Sequence, residues 1–254
     1  MTNWILLRGL SRETRHWGEF PNILAQKNPK SKIIVLELPG VGKKNHLGSP
    51  KKIEDFVESL RPDFLSIKNK EQNEKTNEWG IISISLGGMI ALNWAEKYPD
   101  DFSKIVTINT SASDLSNPIQ RIGLKAISKM AKLFIKNDLI EREREILELT
   151  TSMTEVDDNL VKKWASYSKE YPLSRKAFLN QLYAASKFKA PKKIDLPCLI
   201  IVGEKDQLAN PKCSIALAKH FKLPYYSHPH AGHDLPLDDP EWLVNQIYQW
   251  ERRP

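Results

Sequence analysis

Short apolar runs, many of them β-branched, recur along the 254-residue chain. WILLRG (4–9), KIIVLEL (32–38), WGIISIS (79–85), KIVTINT (104–110), PCLIIVG (197–203) and PYYSH (224–228) have the length of strands. Their near-continuous apolarity, rather than an in–out alternation, predicts strands covered on both faces, as in a parallel sheet. Helical patterns fill most of the intervals. SPKKIEDFVESLRPDFLSI (49–67) opens on a Ser-Pro start signal, and GGMIALNWAEKYP (87–99) follows its strand directly and stops at a proline. DPEWLVNQIYQWERR (239–253) reads as an amphipathic helix at the end of the chain. Alternation of strand and helix predicts a doubly wound α/β sheet.

Two intervals break the alternation. KNKEQNEKTNE (68–78) has no apolar residue and reads as a solvated loop or helix end. Residues 112–190 carry helical patterns and no strand-like run, which predicts an all-helical insertion between two sheet strands.

The chemistry begins at SISLGG (83–88). A nucleophilic serine at the end of a buried strand, with a helix starting at once, sits in a strained turn. The residues two before and two after it must be small, which gives the pattern G-x-S-x-G. Ser83 fails this test, with Ile81 and Ser85 as flanks. Ser85 passes, with Ser83 small on one side and Gly87 on the other, although Ser83 stands where glycine is usual. A serine hydroxyl needs a base, and the base needs an orienting carboxylate. In this turn type the chain order is Ser, then Asp or Glu, then His. Asp206 follows the strand CLIIVG, and His233 lies in HPHAGHDLPLDDPEW (228–242), so both fall where a parallel sheet places functional groups. Asp206 could equally cap a loop or helix. His228 and His230 compete for the base; His228 reads as strand and His230 precedes the loop glycine, which favours His233. Donors for an oxyanion are expected from the Leu86 N–H, after the nucleophile, and the Leu10 N–H, in the loop after the first strand.

Together LLRGLSRETRHW, LELPGVGKKN, SISLGGMIALNWAEKYPD, IIVGEKDQLANP and PHAGHDLPLDDPEW resemble the α/β-hydrolase superfamily. The resemblance is to its small members with a helical cap, among them carboxylesterases and pimeloyl-carrier-protein methyl ester esterases. It implies an α/β-hydrolase fold with a short, mostly parallel sheet of about six strands and helices on both faces. The core would be 1–111 and 191–254, and 112–190 a helical cap. It implies a serine hydrolase of carboxylic esters with Ser85 as nucleophile, His233 as base, Asp206 as its orienter, and no cofactor. Thioester, amide or carbon–carbon bond hydrolysis on the same residues, or non-catalytic ligand binding, are the alternatives. The sequence departs from the family at Ser83, at Arg8-Gly9 where the family has His-Gly, and in opening directly on the strand WILLRG.

Composition changes this picture little. The two cysteines, Cys198 and Cys213, form no C-x-x-C pair, and no zinc site is expected. HPHAGH lacks downstream histidines for a metal centre, and GVGKKNH fails the phosphate-loop spacing. No 18-residue apolar run and no secretory signal is evident, so a soluble cytoplasmic protein, monomeric or weakly dimeric, is expected. The net charge of +7 comes without any nucleic-acid-binding motif. Arg121, Lys125, Lys129, Lys132 and Lys136 have helical spacing that would put them on one face. That stripe is expected to be a solvated face or a dock for an acidic acyl carrier or CoA-linked substrate.

Overall fold

Strand residues leave alternately for two faces, and both faces are buried. The computed structural model describes residues 2–70, 78–123, 126, 128–129 and 138–252. Six strands are present among the described residues: β1 (Thr2–Leu7), β2 (Ile33–Leu36), β3 (Glu78–Ile84), β4 (Lys104–Ile108), β5 (Cys198–Gly203) and β6 (Tyr225–His228). They form one sheet in the order β2-β1-β3-β4-β5-β6, and every neighbouring pair is parallel. Ile5, Leu7, Ile81, Ile105, Ile200 and Val202 point to one core; Trp4, Leu6, Ile82, Val106, Leu199 and Ile201 point to the other. This double burial is why the strands read as continuous apolar runs.

Helices cover both faces. The first core is closed by α2 (Ile53–Lys70), α3 (Leu86–Lys97) and α8 (Lys212–Phe221), through residues such as Phe56, Ile90 and Leu217. The second is closed by α1 (Phe20–Lys27) and the C-terminal α10 (Pro240–Glu251), through Phe20, Leu24, Leu243 and Ile247. A short α9 (Leu235–Asp238) precedes α10. α2 starts at Ile53, not at the expected Ser49-Pro50, and the Ser49 hydroxyl donates to Pro39 O at 3.0 Å.

Between β4 and β5 the described residues contain helices and no strand: α4 (Pro118–Arg121), α5 (Leu139–Thr150), α6 (Asp158–Glu170) and α7 (Arg175–Lys187). Asp138, Asp157 and Ser174 cap the last three by accepting backbone N–H bonds in the first turn. Leu147, Val161 and Trp164 make a small separate core where α5 meets α6.

The basic stripe departs from expectation at its first member. The helix carrying Arg121 ends there; Ile122 is extended, and Gly123 N donates to Leu208 O. The Arg121 guanidinium donates to Ala185 O and Ser186 O, at the carbonyl end of α7 where a cation is favoured, and to Ser111 Oγ. Arg121 therefore shares no continuous helical face with Lys129. Lys129 is half-buried, while Lys125, Lys132 and Lys136 lie outside the described residues, as does 71–77 of the polar run.

One buried acid fastens α2 and α3 to the turn before β4. Asp101 accepts from Trp94 Nε1 at 2.8 Å and from Arg61 at 2.7 and 3.2 Å. Asp101→Ala leaves the Trp94 N–H unsatisfied in the core, so urea unfolding should show a loss of about 2 kcal/mol. Lys97→Ala, which removes the exposed Lys97–Glu58 pair, should leave the midpoint in place.

Candidate active site

The chain leaves β1 and β3 side by side, with Leu7 paired to Ser83 at their carboxyl ends. The strand order reverses here, which opens a crevice above the sheet. Into it run the loop Arg8-Gly9-Leu10 and the turn at Ser85. Ser85 has φ 55° and ψ −118°, a conformation that costs a non-glycine residue about 1–3 kcal/mol. It is held there by Ser85 N donating to Ile108 O at 2.9 Å and by close backbone approach. A Cβ on Gly87 would lie 2.5 Å from Leu7 O and 2.6 Å from Arg8 O, so no other residue fits. Ser83 does more than stay small: it is fully buried and its hydroxyl donates to Val106 O at 2.8 Å, closing the β3–β4 edge.

His233 Nδ1 donates to Asp206 Oδ2 at 2.6 Å, both side chains being almost fully buried. A carboxylate can only accept, so this bond fixes the imidazole tautomer. Asp206 Oδ1 accepts from Leu208 N and Ala209 N at 2.8 Å each, so it is both loop cap and histidine partner. Burial pushes the His233 ring below its ordinary 6.5, but the charge and hydrogen bond of Asp206, helped by Asp234, outweigh that and Arg8's opposition; the net shift is upward. The two competing histidines are placed elsewhere. His228 Nδ1 accepts from Ala231 N, its Nε2 bonds Asp239 Oδ2, and its ring meets Trp242 edge-on. His230 is exposed. No hydrogen bond joins the Ser85 hydroxyl to His233, although both line one cavity.

That cavity holds about 330 Å³. Its floor is Gly9, Leu10, Ser85 and His233; its far wall is built by Ile146 and Leu149 of α5, Ser168 of α6, Leu173 between α6 and α7, and Phe178 of α7. Leu86 begins α3, where the first N–H groups have no partner within the helix. Among the described residues neither the Leu10 nor the Leu86 N–H has a backbone partner. No group of three His, Cys, Asp or Glu among the described residues could hold a metal ion.

Several supporting residues escape sequence reasoning. Arg8 donates to both oxygens of Asp234, at 3.0 and 2.6 Å, in a pair almost sealed from solvent. Asn109, at φ 48°, donates to Gly232 O and His233 O and accepts from Gly203 N, so it holds the histidine loop against β5. Arg12 reaches across the cavity to Glu143 at 2.7 Å, and Ser168 donates to the same carboxylate at 2.9 Å. The partners are far apart in the chain and carry no local signature. The one hint was Arg8 itself, standing in a place where an arginine is unusual.

Arg8→Met strands the Asp234 carboxylate and should cost about 3–5 kcal/mol in thermal or urea unfolding. Adding Asp234→Leu to that variant should restore most of the loss; failure to do so would mean that Arg8 acts mainly through its stacking on Trp17.

The comparisons agree with this architecture. A family model for the alpha/beta hydrolase fold matches residues 5–240. No curated protein matches the sequence. Among solved structures, the chain resembles a protein described as a lipase from Acinetobacter baumannii AYE (TM-score 0.76, 22% identity, 98% of this chain and 83% of that one). It also resembles a lipase-esterase related protein from Clostridium acetobutylicum ATCC 824 (TM-score 0.71, 18% identity, 98% and 94%). A third likeness is to a protein described as an aryl esterase from Burkholderia cenocepacia (TM-score 0.73, 20% identity, 99% and 90%). At these identities the solved structures speak for the fold alone, whereas the family model spans nearly the whole chain. The chain belongs to the α/β-hydrolase fold family.

Proposed function

We propose that this protein is a serine hydrolase that cleaves carboxylic esters through an acyl-enzyme. The observation that carries the reading is the buried 2.6 Å bond from His233 to Asp206 on the floor of the cavity that Ser85 also lines. Membership of a hydrolase family and the esterase and lipase descriptions of its structural neighbours point the same way.

In this reading the Ser85 hydroxyl attacks the ester carbonyl, and its proton passes to His233 Nε2. Asp206 keeps Nε2 free to accept by holding the proton on Nδ1, and it stabilises the imidazolium that forms. The negative carbonyl oxygen turns to the Leu10 and Leu86 N–H groups. The imidazolium then protonates the departing alcohol, which leaves Ser85 acylated. Water, deprotonated by the same ring, attacks the acyl carbon, and the ring returns that proton to Ser85 Oγ as its bond to the acyl group breaks and the acid leaves. The Ser85–His233 bond that the first step requires is of the kind that tightens only when substrate is bound. The helices α5–α7 serve as the cap, excluding water from the oxyanion and shaping the acyl and alcohol pockets.

Fluorophosphonate labelling followed by peptide mass spectrometry should find the adduct on Ser85. An unlabelled but folded protein, or an adduct on Ser83, would overturn the assignment. Ser85→Ala should lower kcat against 4-nitrophenyl esters by several orders of magnitude, about 10⁴ or more, with the circular dichroism spectrum unchanged.

The histidine must be neutral to accept the proton. Its raised pKa means that kcat/KM should fall as pH drops through an apparent value above 6.5. Asp206→Asn removes the attraction that raises it, so the residual activity should show its acid limb at lower pH. An acid limb that stays in place would show that another group controls it.

A further inference from the structure

The charges in the cavity wall do not balance. Four arginines line it, Arg8, Arg12, Arg142 and Arg175, against two carboxylates, Glu143 and Asp234. Each carboxylate is already engaged. Asp234 is held by both amino groups of Arg8, and Glu143 takes Arg12 on one oxygen and the Ser168 hydroxyl on the other. Arg142, on α5, and Arg175, the first residue of α7, have no ion-pair partner among the described residues. Arg142 is half-buried and Arg175 is exposed, so one sits within the wall and the other at its rim. The Ser11 hydroxyl, which lines the same cavity, also has no hydrogen-bond partner.

Building on the ester-hydrolase reading, we infer that the cavity takes esters whose remote end carries an oxyanion, a carboxylate or a phosphate, held by Arg142 and Arg175. A neutral, lipid-like ester would need only the apolar part of the wall, Ile146, Leu149, Leu173 and Phe178. Sealing such a ligand against Arg142 would strip water from a guanidinium and return nothing. An oxyanion reverses this: the forked guanidinium offers paired N–H donors that match a carboxylate or phosphate. The attraction is strengthened by the apolar surroundings and, at the rim, weakened by salt. Arg8 cannot serve, since taking it from Asp234 would leave a buried carboxylate unpaired, and Arg12 is held to Glu143 through Nη1, which leaves only its partnerless Nη2 to assist Arg142 and Arg175. The specificity therefore falls to Arg142 and Arg175, while the apolar wall sets the distance between the anion and the scissile carbonyl.

Three substrates of one chain length test this: 4-nitrophenyl hexanoate, the 4-nitrophenyl half-ester of hexanedioic acid, and the corresponding chain ending in phosphate. At low ionic strength one of the charged esters should surpass the neutral one in kcat/KM by about tenfold, chiefly through KM, and the better of the two names the anion. The advantage should shrink as salt is raised. In Arg142→Gln/Arg175→Gln the charged-to-neutral ratio should fall by about tenfold, and Arg142→Lys/Arg175→Lys should recover part of it. A neutral ester that equals or beats both charged ones in the wild type, or a ratio unmoved in the glutamine variant, overturns the inference. Calorimetry with hexanedioate and hexyl phosphate on Ser85→Ala reads the anion site without chemistry. Binding there with no turnover of any ester by the wild type would sink the hydrolase reading and leave the anion site standing. Turnover of the neutral ester with no binding of either anion would do the opposite.

Discussion

The pair between Arg8 and Asp234 governs the relation between the two loops on which the candidate site depends. Arg8 follows β1 and begins the loop that presents the Leu10 N–H; Asp234 follows His233 directly in the chain. Two hydrogen bonds between planar groups, at 3.0 and 2.6 Å, fix both distance and angle. Because the pair is almost sealed from water, it cannot be exchanged for solvent contacts at small cost. The loop carrying the proposed oxyanion donor and the loop carrying the proposed base thus move as one piece. The strained Ser85 sits between them, braced by the close backbone approach of Gly87 to Leu7 and Arg8.

The parallel sheet was legible in the sequence because its strands are buried on both faces, which erases the in–out alternation and leaves runs such as CLIIVG. The turn at Ser85 was legible because crowding limits what can flank it. Asp206 and His233 were legible through their order along the chain and their position after strands. Other features depend on contacts that no window of sequence contains. Asp234 finds Arg8 across 226 positions, and Glu143 finds Arg12 across 131. The helical spacing that aligned Arg121 with the lysines breaks after Arg121, because carbonyls at the end of α7 compete for its guanidinium and Leu208 O competes for the Gly123 N–H. Periodicity alone could not register that competition. Ser49 misled for a similar reason: the helix starts four positions later at Ile53, and the Ser49 hydroxyl meets Pro39 O, ten positions back in the chain.

Net charge proved a poor guide to where charge acts. The excess of +7 is spread over the chain, and Arg121, the described arginine of the basic stripe, is spent on neutral carbonyls. The pairing inside the cavity is more informative than the total. Arg12 lies on the same loop as Leu10, and its bond to Glu143 clamps that loop to α5, with Ser168 of α6 on the other carboxylate oxygen. The stacking of Arg12 on Trp164 adds a face-on contact to the clamp. Helices that line the far wall are thereby tied to the floor.

A second tie lies behind the histidine. Asp238 accepts backbone N–H bonds from Ser152, Met153 and Thr154, at the end of α5, and from Gly232, beside His233. Asp234 N also donates to Thr150 O. Lifting the 150–154 segment would strip partners from the Ser152, Met153, Thr154 and Asp234 amides at once. The far wall and the histidine loop therefore belong to one cooperative unit, and their amides should share a common opening free energy rather than fray separately.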